Sequence, residues 1–164
     1  MFDKFGEFDS YTEINELAMN LFNEGDTDSI RTMAKENGLP ADFADMYITG
    51  AIPELCDAFT AAEGKLNVEA AELKPKDIME DWLEYIKATC ADNDQMAAAV
   101  RKKGKTLKGC IGALLKWSFG HQQNVDKDIV KAAGIKHSGK ITLGIPGMGR
   151  AKKIIREYYL GGKA

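Results

Sequence analysis

Apolar residues recur along this chain mostly every three or four positions, the helical period, with short breaks marked by Gly, Asp or Asn between the runs. Ser10-Tyr11-Thr12-Glu13 has the form of a capping box, and Ile14, Leu17, Ala18, Leu21 and Phe22 follow at helical spacing up to Gly25. Asp26 or Thr27 can cap a second helix in which Ile30, Met33 and Ala34 share a face before Gly38. A third is predicted from about Pro40, with Phe43, Ala44, Tyr47 and Ile48, ending at Gly50. Pro53 suits the first turn of a fourth, with Leu55, Cys56, Phe59 and Ala62 inward and Gly64 as its end or a kink. Residues 66–74 fit no single pattern. The strongest predicted helix spans about Pro75 to Cys90, where Ile78, Met79, Trp82, Tyr85, Ile86 and Thr89 make a wide apolar stripe.

A polar break at Ala91–Asp94 precedes a short helix with Met96, Ala97 and Val100, and Arg101-Lys102-Lys103-Gly104-Lys105 reads as a basic turn. Leu107, Cys110, Ile111, Leu114, Leu115, Ser118 and Phe119 then give a second strong amphipathic helix. Gly109 and Gly112 lie inside it. A helical glycine costs about 1 kcal/mol relative to alanine, so the pair predicts close approach of another backbone. Residues 125–133, with Ile129, Val130 and Ala133, form a short helix stopped by Gly134, and Lys140-Ile141-Thr142-Leu143 is the best strand candidate. Gly144-Ile145-Pro146-Gly147-Met148-Gly149 is a glycine-rich turn, and a final helix carries Ala151, Ile154, Ile155 and Tyr158 on one face. The expected fold class is all-α or predominantly α: a compact domain of about eight to nine short helices, with at most one short strand or hairpin near residues 135–143.

A length of 164 residues and 18.0 kDa allows one sizeable core. No uninterrupted apolar stretch approaches 18 residues, and the opening MFDKFGEFDS lacks the basic region and apolar core of a signal peptide, so a cytoplasmic protein without a membrane span is expected. Cys56, Cys90 and Cys110 are odd in number, widely spaced and form no C-x-x-C, which indicates neither a disulfide framework nor a zinc site.

Charge changes the picture more than composition does. The formal net charge is only −3, yet residues 1–95 hold 22 Asp and Glu against 7 Lys and Arg, whereas residues 96–164 hold 3 acids against 15 bases. This divides the chain into an acidic helical lobe, 1–92, and a basic helical lobe, 93–164, within one compact unit. Either the lobes stay exposed and meet partners, or their charges cancel across an internal contact. In the acidic lobe Asp77, Glu80, Asp81 and Glu84 recur at helical spacing and form an acidic row. In the basic lobe Arg101, Lys102, Lys103, Lys105, Gly147, Gly149, Arg150, Lys152, Lys153 and Arg156 are the candidate nucleic-acid or anion contacts.

Few motifs carry chemistry. Gly144 to Ala151 has the glycine spacing of a Walker A loop, but Arg150 stands for its lysine and Ala151 for its hydroxyl residue, which argues against an NTPase. Ile145-Pro-Gly-Met-Gly149 resembles the hairpin of helix-hairpin-helix DNA-binding motifs over five residues, although Gly139 and Gly144 spoil the preceding helix and Lys153 stands where a small residue is expected. Arg150, Lys152 and Lys153 occupy the first turn of a helix, where the dipole is already positive, so a phosphate, a carboxylate or water must relieve them. Tyr158 and Tyr159 lie beside these bases, where they could stack on single-stranded bases; Tyr158 also fits the core. His121 and His137 have no neighbouring carboxylate to form a relay and read as surface or loop residues. Asp57 with Glu63-Gly64-Lys65 imitates a metal-dependent nuclease signature but falls on a helix and turn rather than on strands. No catalytic residue, metal site or cofactor is indicated, so the protein reads as a non-enzyme.

The opening MFDKFGEF, the stretch Leu73 to Trp82 (LKPKDIMEDW), Lys105 to Ile111 (KTLKGCI) and Leu143 to Arg150 (LGIPGMGR) together resemble a family of small proteins from phages and mobile elements of Firmicutes. Its members are grouped with inhibitors of the Cas9 nuclease, the type II anti-CRISPR proteins, and the resemblance covers nearly the whole chain. It implies a Cas9-type nuclease as partner and carries over no functional residues. Cas9 holds its heteroduplex in a positively charged channel and reads its PAM with arginines, so an acidic row could compete there as a nucleic-acid mimic, with the basic lobe touching guide RNA or DNA. The alternative is a nucleic-acid-binding accessory protein of a phage or mobile element acting through the basic lobe. Self-association of acidic and basic lobes between copies is a third arrangement; the oligomeric state itself is not legible.

Overall fold

The computed structural model describes residues 2–136 and 139–161, so the expectation for His137 lies outside the described residues. Among these, the elements run α1 (Tyr11–Asn23), α2 (Thr27–Glu36), α3 (Phe43–Ile48), α4 (Ala58–Leu73), α5 (Ile78–Asp92), α6 (Asp94–Arg101), α7 (Leu107–Gly120), β1 (Gln123–Asn124), α8 (Lys127–Ala132), β2 (Thr142–Leu143) and α9 (Met148–Leu160). The fold is predominantly α, with a single antiparallel pairing of β1 and β2 that sets Gln123 opposite Leu143. No helix is long and apolar enough to cross a membrane among the described residues.

Local chemistry accounts for most boundaries. Ser10 Oγ accepts from Glu13 N at 3.2 Å, while Glu13 reaches back to the Asp9 N–H at 2.7 Å. Asp26, not Thr27, caps α2, accepting from Ser29 N. Asn93 and Thr106 cap α6 and α7 in the same way.

Three boundaries differ from expectation. The fourth helix does not begin at Pro53, which stays exposed in a bend; Asp57 Oδ1 accepts from Thr60 N at 2.7 Å and starts α4 at Ala58. Gly64 does not end that helix, and residues 66–73 continue it. Gly64 is buried because α4 runs against the turn after α2: a Cβ there would collide with the Asn37 carbonyl and lie 3.1 Å from Gly38 C and O. The helix expected from Pro75 begins at Ile78, since Lys74 (φ 48°) and Asp77 (φ 54°) take positive φ and interrupt the chain there.

The paired glycines of α7 also depart from expectation. Gly109 leaves room for the Tyr158 hydroxyl, a side chain rather than a backbone, and a Cβ on Gly112 would meet nothing within 4 Å. The close backbone approach in this fold is that of Gly64 and Gly38.

Two apolar cores lie on either side of α4. One joins Phe8 to Ile14, Ala18, Ile30, Met33 and Ala61, drawn from the N-terminal segment and α1–α4. The other joins Leu66 to Trp82, Ile86, Val100, Leu114 and Ile155, drawn from α4–α7 and α9. Acidic α5 therefore shares its core with α6 and the basic helices α7 and α9, and the change of charge near residue 93 is no boundary in the packing. The N-terminal segment is strapped across the first core. The N–H groups of Lys4 and Phe5 donate to the Glu36 carboxylate, and Asp9 accepts from Lys103 N at 2.9 Å.

Candidate functional site

The acidic row projects from a well-anchored helix. Trp82, Leu83, Ile86 and Cys90 hold one face of α5 in the core, which turns Glu80, Asp81 and Glu84 to solvent. Asp77 stands just before the helix, exposed and without a capping bond of its own. Glu84 pairs with Lys87 at 3.5 Å, whereas Glu80 and Asp81 have no ion-pair partner among the described residues. The side-chain ion pairs seen among the described residues, Arg31 with Asp28 and Asp45, Lys65 with Glu7, and Lys87 with Glu84, fall within residues 1–95.

The basic candidates divide. Lys102 and Lys103 are exposed on the α6–α7 turn, and Arg150, Lys152, Lys153 and Arg156 are exposed on α9. Lys105 is half-buried, its Nζ donating to the Tyr158 carbonyl at 2.5 Å and lying over the Tyr158 ring. Because α9 begins at Met148, only Arg150 falls in its first turn and Lys152 and Lys153 lie in the second; Arg150 lies 6.0 Å from the Trp117 ring centre and Lys152 5.1 Å from that of Tyr85 on α5, aromatic faces that relieve them in part. Gly147 caps α9 and Gly149 lies in its first turn, both exposed, but a strand rather than a helix precedes them, so the helix-hairpin-helix geometry is not formed. Tyr159 is buried and cannot stack on a base, while the half-buried Tyr158 uses its hydroxyl to accept from Thr106 N at 3.0 Å.

Arg101 is not a surface contact. It is 1% exposed, because α6 carries Met96, Ala97 and Val100 into the core and its last turn takes Arg101 with them. Its Nη2 donates to Asn37 Oδ1 at 2.5 Å and its Nη1 to the Ala61 carbonyl at 3.4 Å, and its guanidinium lies 5.6 Å from the Phe2 ring centre. Beside it the buried Lys65 Nζ meets Glu7 Oε1 at 2.6 Å and donates to the Lys102 carbonyl at 2.7 Å. The buried Glu69 accepts from Leu107 N at 2.7 Å. Burial lowers the Arg101 pKa and raises that of Glu69, against the Leu107 N–H and Lys65, which pull Glu69 the other way. These four charged groups tie the N-terminal segment, α4 and the α6–α7 turn together. In the sequence Glu7 and Glu69 read as solvated loop or helix charges, and Lys65 stood out only in the nuclease-like Glu63-Gly64-Lys65 pattern, which the structure places inside α4.

Burial pushes all three thiols up to about 12, so none is a ready nucleophile. His121 is exposed and its ring stacks on Trp117 at 4.1 Å. Among the described residues no group of three or more His, Cys, Asp and Glu side chains is placed to hold a metal ion.

Sequence reasoning also passed over a groove of about 790 Å³ between Asn124 of β1, α8, Ile135 and residues 139–141 just before β2. Lys127, Lys131 and Lys140 line it together with Val125, Val130, Ile135 and Ile141. The alternation of Lys with Val and Ile through residues 125–141 was the available signal.

In comparisons with known proteins, no family model, no curated protein and no solved structure matches the chain.

Proposed function

We propose that this protein is a non-enzymatic inhibitor that acts in the cytoplasm by binding a Cas9-type CRISPR nuclease and blocking its DNA binding or cleavage. The observation that carries the reading is the exposed, incompletely neutralised acidic row of Glu80, Asp81 and Glu84, with Asp77 beside it, on a helix whose opposite face is locked in the core. Carboxylates held on such a helix lose little entropy on docking and present neighbours about 5–6 Å apart to a basic channel. The choice of a Cas9-type partner comes from the family resemblance. In this arrangement the exposed bases of α9 and of the α6–α7 turn are free to touch guide RNA or DNA of the same complex.

Titrating the purified protein into Cas9 loaded with guide RNA, and scoring target binding and cleavage, tests this directly. The parent should suppress cleavage at modest molar excess, with or without loss of target binding. Unchanged cleavage at large excess would remove the proposal.

A second reading, a nucleic-acid-binding accessory protein of a mobile element, is favoured by Lys102, Lys103, Lys152, Lys153 and Arg156, which are exposed and have no ion-pair partner among the described residues. It predicts salt-sensitive binding of DNA or RNA without Cas9, lost when Arg150, Lys152 and Lys153 become Glu. No gel shift at low salt would exclude it.

A further inference from the structure

We propose that the groove between the end of β1, α8 and residues 139–141 just before β2 is a binding site for a single nucleic-acid strand, with Lys127, Lys131 and Lys140 on its phosphates and the aliphatic lining under its bases. The site differs from the basic turn and the α9 bases, and it does not depend on the Cas9 reading.

The segment that forms the groove is held to the body at its two ends and presents its own surface outward. No residue of α8 is buried, and Ile129 is 62% exposed. Gly144 closes the end of β2 against the Ser118 carbonyl and Gln122 at the end of α7, where a Cβ would not fit. The Val125 N–H donates to the Ile141 carbonyl at 2.8 Å, which extends the β1–β2 pairing into the groove and fixes its two sides together.

Electrostatics select an anion. Lys127 and Lys131 are four residues apart on one helix; Asp126 and Asp128 flank Lys127 in the chain, but neither lines the groove nor forms an ion pair with these lysines among the described residues. With Lys140 they line one groove to which no carboxylate contributes, and none of the three has an ion-pair partner among the described residues. Size and lining select against a small ion. A groove of about 790 Å³ is drug-sized, and a free phosphate would leave Val125, Val130, Ile135 and Ile141 uncovered.

A strand supplies both needs, because its phosphates meet the lysines while an unstacked base offers an apolar face. A duplex keeps its bases stacked and cannot reach the lining without flipping one out. The neighbouring rings point the same way. His121 is exposed, stacked on Trp117 with ring planes 8° apart, and stands three residues before Asn124 of the groove, about 10 Å along an extended chain. Arg150 lies over the same Trp117 ring. A base leaving the groove therefore meets an aromatic platform within the length of a few nucleotides.

Fluorescence anisotropy with a labelled 15-nucleotide single strand of mixed sequence, and no nuclease present, tests the site apart from any Cas9 interaction. Three phosphate contacts predict a slope of log K against log salt near −2, an affinity loss of about twentyfold between 50 and 200 mM salt. The triple variant K127E/K131E/K140E should weaken binding at least thirtyfold while its melting temperature stays within ~2 °C of the parent, as no residue of α8 is buried. His121→Ala should weaken binding about fivefold or more through lost stacking, and K102E/K103E should change it less than about twofold. A duplex of the same length should bind more weakly than the strand. The proposal fails if the strand does not bind at 50 mM salt, or if the triple variant binds as the parent does. It fails equally if an acidic peptide of matching charge binds as tightly and His121→Ala is neutral, since the groove would then be a site for acidic protein segments.

Discussion

Substitution of Arg101 separates a structural role from a binding role at a position where the sequence alone favours binding. Arg101→Ala removes the donor to Asn37 Oδ1 at 2.5 Å, the bond to the Ala61 carbonyl at 3.4 Å and the cation over Phe2, and it opens a void at a site 1% exposed. The substitution leaves the buried Asn37 Oδ1 and Ala61 carbonyl without this donor, at about 1–3 kcal/mol for each group, and the void adds to it, so a loss of about 3 kcal/mol is expected. For a chain of 164 residues this lowers Tm by about 6–12 °C, measured by circular dichroism on heating and checked by urea titration. Arg101→Met keeps much of the stem volume and should fall between the parent and Arg101→Ala. A melting temperature within ~2 °C of the parent, together with loss of nucleic-acid binding, would refute the burial of Arg101 and return it to the basic surface.

Three further outcomes follow from the packing and the titrating groups. Gly64→Ala should destabilise in spite of the roughly 1 kcal/mol gained in helix propensity, because its Cβ meets the Asn37 carbonyl; a rise in Tm would show that α4 and the α2 turn are not in contact. The Glu69 pKa is raised by burial, so the unfolded chain loses this proton at lower pH than the folded one, and stability from this group is complete below the ordinary carboxyl range and declines as pH rises through the folded value. Glu69→Gln keeps an acceptor for Leu107 N, and its stability relative to the parent should be more favourable at pH 7 than at pH 4; the opposite ordering in paired thermal melts would contradict the shift. A thiol reagent at pH 8 should modify none of Cys56, Cys90 and Cys110 within minutes in the native protein and all of them in urea, and rapid native reaction would place a thiol at the surface.

The helices were legible because their signals are local. Ser10 and Asp26 announce the caps of α1 and α2, and the stripe of Trp82 and Ile86 announces the buried face of α5. What escaped depended on distant partners. Gly64 looks like a helix end until Gly38 and Asn37 are set against it, and Arg101 looks like one more base in a basic turn until α6 carries it inward to Asn37 and Ala61. Gln123–Asn124 has no strand pattern of its own; it pairs because Thr142–Leu143 returns beside it. The acidic row was readable since i, i+3 and i+4 spacing sets a face directly, whereas the lysine groove is assembled by a six-residue helix and the non-helical stretches on either side of it, which share no period.

The proposed function rests on the α5 carboxylates engaging a Cas9-type nuclease. The most direct measurement compares inhibition of guide-loaded Cas9 cleavage by the parent with that by E80K/D81K/E84K, after circular dichroism shows both folded. These side chains are exposed, so the reversal costs only the first-turn dipole contribution of Glu80 and Asp81 and the surface pair of Glu84 with Lys87, about 1–2 kcal/mol, and the folded variant should need at least tenfold more protein for half-inhibition. Equal inhibition by the folded triple variant, or none by the parent, would contradict the account.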